Sequence, residues 1–286
     1  MVGIAMNVNQ FLTKSRVLIV AGKGGVGKST VAAALAQLAH EQGISVAHVE
    51  LDGKSPPTGL SPDVTQFSLT PGEALREYLA SHGLARVGQR LESTGILDLV
   101  ASTAPGIDDL LVLGKIKQME QSGAHELIVV DGPAAGQAIG LLRAAATMQS
   151  TVSSGPISQQ AQDVRNMVSD PARCQVILVT TPAFTPVTEL LETRQQLLDD
   201  VQVTLGPIVI NGMDTYSLSP LTDNAPADVV AAWNYRAQRQ QAHQTAAKIL
   251  HEAALEPIIT LPRYTSTATA VVDMTKNLAT EVEKLS

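Results

Sequence analysis

Cysteine is almost absent from this chain: Cys174 is the only one among 286 residues. A disulfide bond within the chain is therefore excluded, and a thiolate site for zinc or a metalloid, which needs several cysteines, is disfavoured with it. Aromatic residues are also scarce, at 3% of the chain, although 44% of the residues are hydrophobic. Such a core consists of Ala, Val, Leu and Ile, which suits close packing of helices on a sheet.

Positive charge and long apolar runs are lacking too. The formal net charge of −7 argues against a general affinity for nucleic acid, although Arg86, Arg90 and the Arg236/Arg239 pair leave room for a local basic patch. No stretch is apolar for the length that crosses a bilayer, and residues 1–15 lack the pattern of a signal peptide. We therefore expect a cytoplasmic protein with at most peripheral, indirect membrane association, and a flexible tail over residues 1–15.

Short β-branched runs alternate along the chain with helical patterns. This alternation predicts an α/β fold, with a mostly parallel twisted sheet of about seven to eight strands and helices on both faces. The expected strands are 16–21, 46–51, 96–101, 127–131, 175–180, 207–211 and 257–261. The expected helices are 29–42, 72–82, 107–121, 137–147, 160–169, 187–200, 228–254 and 269–285. No linker interrupts the pattern, so residues 1–286 are expected to form a single domain.

The most specific motif is the stretch Gly-Lys-Gly-Gly-Val-Gly-Lys-Ser-Thr at residues 22–30. It contains the pattern G-x-x-x-x-G-K-[ST] between an apolar run and a helix-like segment, which is the context of a phosphate-binding loop. Its glycines let backbone N–H groups converge on a polyphosphate at a helix N-terminus. Lys28 is expected along the β- and γ-phosphates and the Ser29 hydroxyl on Mg²⁺. The predicted nucleotide-binding residues of the loop are Gly22, Lys23, Gly24, Gly25, Val26, Gly27, Lys28, Ser29 and Thr30.

Polar side chains follow several of the expected strands, at the sheet edge where doubly wound folds bind their ligands. Asp52 comes directly after one strand, where a group that orients or deprotonates an attacking water is needed. Asp131 directly follows four apolar residues and is expected to support Mg²⁺. The candidate metal-binding residues are therefore Ser29, Asp52 and Asp131. Asn211 ends another strand, and its amide offers both a donor and an acceptor to an adenine edge.

With Lys23 included, the loop resembles the deviant P-loop of the partition, septum-site and arsenite-pump ATPases. The stretches 169–173, 179–182 and 189–194 resemble the D-P, V-x-x-P and E-T-x-R segments of the arsenite-pump-like and tail-anchored-protein-targeting branch. In that family the early lysine reaches across a dimer to the partner's nucleotide. The resemblance therefore implies that Lys23 stabilises transition-state charge only when two subunits meet, as an arginine finger does.

Further roles are implied by the resemblance alone. Asp52 matches the aspartate that positions the water, although relatives read Asp-Pro-Ala where this chain has Asp-Gly-Lys. Gly132 follows a strand in the second switch segment, where its backbone N–H approaches the γ-phosphate. Asn211, Pro262 and Arg263 match the residues around the adenine. ATP and Mg²⁺ are the implied cofactors.

The expected function is that of a Mg²⁺-dependent ATPase. It hydrolyses ATP to ADP and phosphate and acts as a nucleotide-driven dimeric switch that controls binding of a client protein or partner. Lys23, Lys28 and Asp52 are its expected catalytic groups. A homodimer and a heterodimer with a paralogous ATPase both stay open, and the sequence does not name the client.

Three alternatives share the same nucleotide site: a carrier of hydrophobic membrane-protein segments, a partition or positioning ATPase, and a regulatory subunit that pairs with a paralogous ATPase. Only seven methionines occur, which argues against a large Met-rich groove for a transmembrane helix, while a smaller groove for a hydrophobic client stays open. The part that Gln137 takes in the second switch, where targeting relatives often carry histidine, also stays open.

Overall fold

Seven parallel strands form the centre of the structure, a computed structural model that describes residues 7–51, 58–81, 83–93, 106–151, 154–222 and 224–285. The strands are β1 (Val17–Gly22), β2 (Val46–Glu50), β3 (Thr65–Ser68), β4 (Leu127–Ala134), β5 (Cys174–Thr180), β6 (Ile208–Met213) and β7 (Ile258–Pro262). Their order in the sheet is β3-β2-β4-β1-β5-β6-β7, so that β1 is central. β1, β2 and β5 are buried along their whole length, as parallel strands covered on both faces must be.

Helices cover both faces of the sheet, which confirms the predicted α/β architecture. They are α1 (Val8–Thr13), α2 (Lys28–Glu41), α3 (Pro71–Ser81), α4 (Ala85–Ser93), α5 (Ile107–Ser122), α6 (Ala135–Thr151), α7 (Pro156–Ser169), α8 (Phe184–Gln196), α9 (Ala227–Ala253) and α10 (Ala270–Val282). A π-helical turn, Leu197–Val201, continues α8. In the part of the chain that the structure describes, no helix combines the length and apolarity needed to cross a bilayer.

Alternate residues of β1 face the two halves of the core. Val17 and Ile19 belong to an apolar cluster that includes α5, α6, α7 and α8. Leu18 and Val20 belong to the opposite cluster, which includes α1, α2 and α10. The period of two along a strand thus assigns α2, the helix that follows the glycine loop, to the Val20 face.

Three short elements were not predicted from the sequence: β3, α4 and the N-terminal helix α1. Strand β3 is polar and exposed, and it pairs only with the outer side of β2, so it carries no apolar signal for a strand. Helix α4 was missed because it has a glycine, Gly88, near its middle. The start of α3 is as predicted: Thr70 and Glu73 bond each other's backbone N–H groups in a capping box. The strand expected at 96–101 lies outside the described residues.

The expectation of a flexible tail over residues 1–15 is wrong for the part that is described. Asn7 and Gln10 form a capping box at the start of α1. Val8, Phe11 and Leu12 are buried in the same cluster as Met274 and Leu278 of the C-terminal helix α10. Their helical spacing presents one apolar face, which binds this segment to the domain.

His48, in the middle of β2, is a buried ionisable group that carries no charge at neutral pH. It is 1% exposed, and neither ring nitrogen has a hydrogen-bond partner among the described residues. In the sheet it stands between Gln66 and Val129. Burial lowers the pKa of His48 from 6.5 to about 4, because desolvation disfavours the charged imidazolium.

The burial of His48 predicts acid sensitivity. The unfolded chain takes up this proton near pH 6.5 and the folded chain only near pH 4, so stability falls as the pH drops through this window. The total loss is about 3 kcal/mol. Urea unfolding of His48→Leu should lack this part of the pH dependence, whereas His251→Gln, at an exposed histidine, should retain it. Equal pH dependence in wild type and His48→Leu would contradict the assignment.

Candidate functional site

The loop between β1 and α2 is folded by its glycines into a turn at a helix N-terminus. Gly25 and Gly27 have φ angles of 83° and 93°, which residues with a side chain rarely adopt. Helix α2 begins at Lys28, so its first backbone N–H groups face the loop. The Lys28 Nζ donates a hydrogen bond to the backbone oxygen of Lys23 at 3.3 Å, so this side chain bends back across the loop. Amides and a cation thus converge where an anion would bind.

Asn211, at the C-terminal end of β6, holds this loop in place. Its Nδ2 donates to the backbone oxygen of Val26 at 2.8 Å. A Cβ added to Gly27 would collide with the same amide group. The left-handed φ of Gly27 and the close approach of Asn211 therefore both require glycine at this position. The structure thus brings together the glycine loop and Asn211, which the sequence analysis predicts as separate parts of a nucleotide site.

Two buried carboxylates lie beside the loop. Asp131 stands in register with Val20 on one side and with Glu50 on the other, and it is 5% exposed. In-register residues of parallel strands point to the same face, so both acids lie on the Val20 face, which α2 covers. Ser29 and Thr30 are in the first turn of α2 on that face. The structure therefore brings Asp131 and Ser29 to one corner of the sheet.

The donor atoms at this corner fit Mg²⁺. A serine hydroxyl and an aspartate carboxylate are hard oxygen ligands, and Mg²⁺ in nucleotide sites is held by one or two such groups, phosphate oxygens and water. Among the described residues no cluster of three or more histidine, cysteine or acidic side chains forms a separate metal site. Asp52, the third predicted metal-binding residue, lies outside the described residues, so its place in the site stays a prediction.

Gly132 lies where β4 passes close to the backbone of β1. The register between these strands shifts after Val20, and a Cβ on Gly132 would come within 2.5 Å of the Val20 oxygen. The close approach of β4 to the β1 backbone therefore requires glycine at this position, independently of any role in phosphate binding. Gln137, in the first turn of α6, is exposed, and its role stays open.

Pro262 and Arg263, at the end of β7, are brought next to the end of β6. Pro262 stands in register with Met213, and the Arg263 backbone N–H donates to the Met213 oxygen at 2.9 Å. This bond fixes the two loops that follow β6 and β7 against each other. A cleft of about 490 Å³ opens between them, and its lining includes Asp214, Tyr216, Arg236, Arg239, Arg263 and Tyr264.

This cleft contains an ionic cluster that was not predicted from the sequence. The Asp214 side chain is 2% exposed and accepts hydrogen bonds from Arg236 and Arg239 of α9. These bonds, that of Arg239 above all, lower the pKa of Asp214 to about 2. Arg236 and Arg239, which the sequence analysis names as candidates for a local basic patch, are instead paired with an acid. The signal available in the sequence was the acid three residues after Asn211.

Lys23, the lysine of the deviant loop, is paired within its own chain. Its Nζ lies 2.7 Å from Glu189 Oε1, on α8, and the two side chains are 48% and 40% exposed. Exposed pairs of this kind contribute about 0–1 kcal/mol. The lysine is therefore held weakly at the surface of the loop, where it can exchange one acceptor for another.

The sheet is parallel, and its first strand leads through a glycine loop into a helix. The neighbouring strand ends in an acid. This arrangement defines a P-loop nucleoside-triphosphatase fold. Residues 15–155 match the family described as anion-transporting ATPase. Over these residues the chain is similar to the arsenite-pump-like ATPases.

Curated proteins that are similar to this chain include two named ATPases and one uncharacterized protein. The ATPase BagA of Mycobacterium tuberculosis is 28% identical over 70% of this chain and 66% of its own length. An uncharacterized protein of Streptomyces coelicolor is 31% identical over 45% of this chain and 37% of its own. The arsenical pump-driving ATPase of Escherichia coli is 27% identical over 63% of this chain and 32% of its own. The chain thus matches 66% of the mycobacterial relative and about a third of the Escherichia coli one.

The contact between Gly27 and Asn211 makes a stability prediction. Gly27→Ala should lower the free energy of unfolding by about 2 kcal/mol, because it forces a left-handed φ on alanine and presses its Cβ into the Asn211 amide. Gly24→Ala, in the same loop but with open space around the added Cβ, should change it by less than about 0.5 kcal/mol. Urea unfolding measures both.

A double-mutant cycle isolates the contact. In an Asn211→Ala background the Gly27→Ala change should be less destabilising, because the colliding amide is gone and only the strain of φ remains. An identical loss of stability with and without Asn211 would show that the two residues are not coupled.

Proposed function

We propose that this protein is a Mg²⁺-dependent ATPase that hydrolyses ATP to ADP and phosphate. The observation that carries this proposal is the glycine loop at the start of α2, fastened by Asn211 and bordered by Asp131 and Ser29. Backbone amides of the loop would bind the phosphates, and the Lys28 ammonium would exchange the Lys23 oxygen for phosphate oxygens.

The remaining groups divide the chemistry between them. Ser29 and Asp131 would hold Mg²⁺, directly or through its water. When bound, Mg²⁺ neutralises charge on the β- and γ-phosphates. Asp52 would orient the attacking water, a role inferred from its place after β2. The end of β4, which carries Gly132, would contact the γ-phosphate through the Gly132 backbone N–H, and that contact would be lost after hydrolysis.

We further propose that hydrolysis is coupled to formation of a dimer, either of two copies of this chain or with a paralogous ATPase. Lys23 is the supporting residue, since an exposed lysine held by one exposed glutamate can leave it for the phosphates of a partner's nucleotide. ATP would thereby join two subunits, and hydrolysis would separate them. Such a cycle would control the binding of a client protein. We expect it to operate in the cytoplasm.

A second candidate function, carriage of a hydrophobic protein segment, is favoured by the apolar side chains exposed along α8 and α9. Phe184 is 69% exposed, Tyr235 67% and Val229 46%. A shallow cleft of about 390 Å³ lies between the two helices beside Phe184. Phe184, exposed beside this cleft, is typical of a contact surface for the partner subunit or for a hydrophobic client.

Replacing Asp52 tests the chemical step. Asp52→Asn should keep ATP affinity and lower turnover by about a hundredfold or more, which is the range of a lost acid–base group. Asp63→Asn, at an exposed aspartate, is the matched control and should turn over ATP at the wild-type rate. Phosphate release and equilibrium ATP binding are measured side by side, and unchanged turnover in Asp52→Asn would refute its role.

The coupling to dimer formation is tested by following turnover per chain over a range of protein concentrations. Wild-type turnover should rise with concentration, and Lys23→Ala should stay low throughout. Glu189→Gln should reach half-maximal turnover at up to about fivefold lower concentration, because Lys23 no longer has to leave an acceptor. Glu192→Gln, at an exposed glutamate on the same helix, is the control. Wild-type turnover independent of concentration would contradict the dimer.

A further inference from the structure

Glu50, the last residue of β2, is a second buried acid at the corner that Asp131 and Ser29 form. It is 4% exposed. It stands in register with Asp131 of β4, so both side chains point to the face of the sheet that α2 covers. Adjacent strands lie about 4.8 Å apart, which places the two carboxyl groups within reach of one ligand. The proposed division of roles among Ser29, Asp52 and Asp131 leaves this acid without one.

The surroundings of the two acids are apolar. Val20 of β1 stands in register with Asp131, and Val129 precedes Asp131 by two residues on the same face. Both valines are fully buried. Two negative charges side by side in such an environment repel each other strongly, because little water screens them. Burial of the pair therefore costs free energy unless positive charge lies close to both carboxylates.

The donor atoms at this corner suit a hard divalent cation. Glu50 and Asp131 offer carboxylate oxygens and Ser29 offers a hydroxyl oxygen, which are the ligands that Mg²⁺ and Mn²⁺ prefer beside water. The number of carboxylates decides how far such a site depends on the nucleotide. With Asp131 alone, one positive charge of the cation stays unbalanced until phosphate oxygens arrive. With Glu50 as well, the protein balances both charges.

We propose that Glu50 binds the divalent cation together with Asp131 and Ser29, directly or through its water, and that the protein takes up this cation before any nucleotide. The inference concerns the same Mg²⁺ site as the proposed function, which it deepens and on which it rests. Glu50 also ends the strand that leads to Asp52, two residues further along the chain. Through Glu50, cation binding would hold the end of this strand against the corner.

Binding of Mn²⁺ to the nucleotide-free chain tests the inference, because the electron paramagnetic resonance signal reports free Mn²⁺ directly. The wild type should bind one Mn²⁺ per chain, and excess Mg²⁺ should displace it. Glu50→Gln and Asp131→Asn should each weaken Mn²⁺ binding at least about tenfold. Glu41→Gln, at an exposed glutamate at the other end of α2, is the matched control and should bind Mn²⁺ as the wild type does.

Urea unfolding gives a second readout that requires neither nucleotide nor activity. Mg²⁺ should stabilise the wild type, since a ligand that binds only the folded state shifts the unfolding equilibrium. In EDTA, Glu50→Gln should be at least as stable as the wild type, because the repulsion between the two acids is gone, and Mg²⁺ should then add little. Glu50→Asp, which keeps the charge on a shorter side chain, should bind Mn²⁺ with intermediate affinity. This variant keeps the test decisive should Glu50→Gln fail to fold.

ATP binding in the presence of Mg²⁺, measured on the same samples, separates this inference from the ATPase proposal. A wild type that binds ATP but no Mn²⁺ without nucleotide would overturn the inference and leave the ATPase proposal standing. Mn²⁺ binding of wild-type affinity in Glu50→Gln would do the same. A wild type that binds neither Mn²⁺ nor ATP would overturn both.

Discussion

The hydrogen bond from Asn211 to the Val26 oxygen fixes the conformation of the glycine loop, on which the proposed phosphate site depends. Glycine gives the loop between β1 and α2 its left-handed angles, and the same freedom would let it adopt many other conformations. Asn211 removes that freedom by joining the loop to the end of β6. The position of β6 in turn depends on β5 and β7, its neighbours in the sheet. The geometry of the loop is thus set by strands that are distant in sequence.

The same sheet edge shows a consistent arrangement of charge. Lys28 bonds a backbone oxygen of its own loop, Lys23 bonds Glu189, and Arg236 and Arg239 bond Asp214. Each of these cations is satisfied within the chain, so binding an anionic ligand means exchange of acceptors. The energy of each exchange depends on burial: the exposed Lys23 pair is easily broken, whereas the Asp214 cluster is partly buried and resists displacement. We infer that Lys23 can change its partner readily, whereas Arg236 and Arg239 stay bonded to Asp214.

Much of the architecture could be predicted because buried parallel strands and amphipathic helices leave strong periodic signals. The strand ends that carry Asp131, Asn211 and Pro262 were predicted within a few residues, since each terminates an apolar run. Strand β3 and helices α1 and α4 were missed because they are short, and β3 is polar.

The ion pairs of Lys23 and Asp214 could not be predicted in the same way. Each joins residues from separate elements, which only the assembled sheet brings together. The sequence contains an acid, Asp214, three residues after Asn211, but its arginine partners come from the next helix, α9. The Arg236/Arg239 pair therefore read as a surface patch until the fold placed Asp214 beneath it.

The central claim is that backbone amides at the start of α2, together with Lys28, bind the triphosphate of a nucleotide. Equilibrium titration of the purified protein with ATP and Mg²⁺, compared with Lys28→Ala, tests it most directly. The account predicts saturable binding of one nucleotide per chain in the wild type and loss of that binding in Lys28→Ala. Equal affinity in the two proteins, or no binding to the wild type, would contradict it.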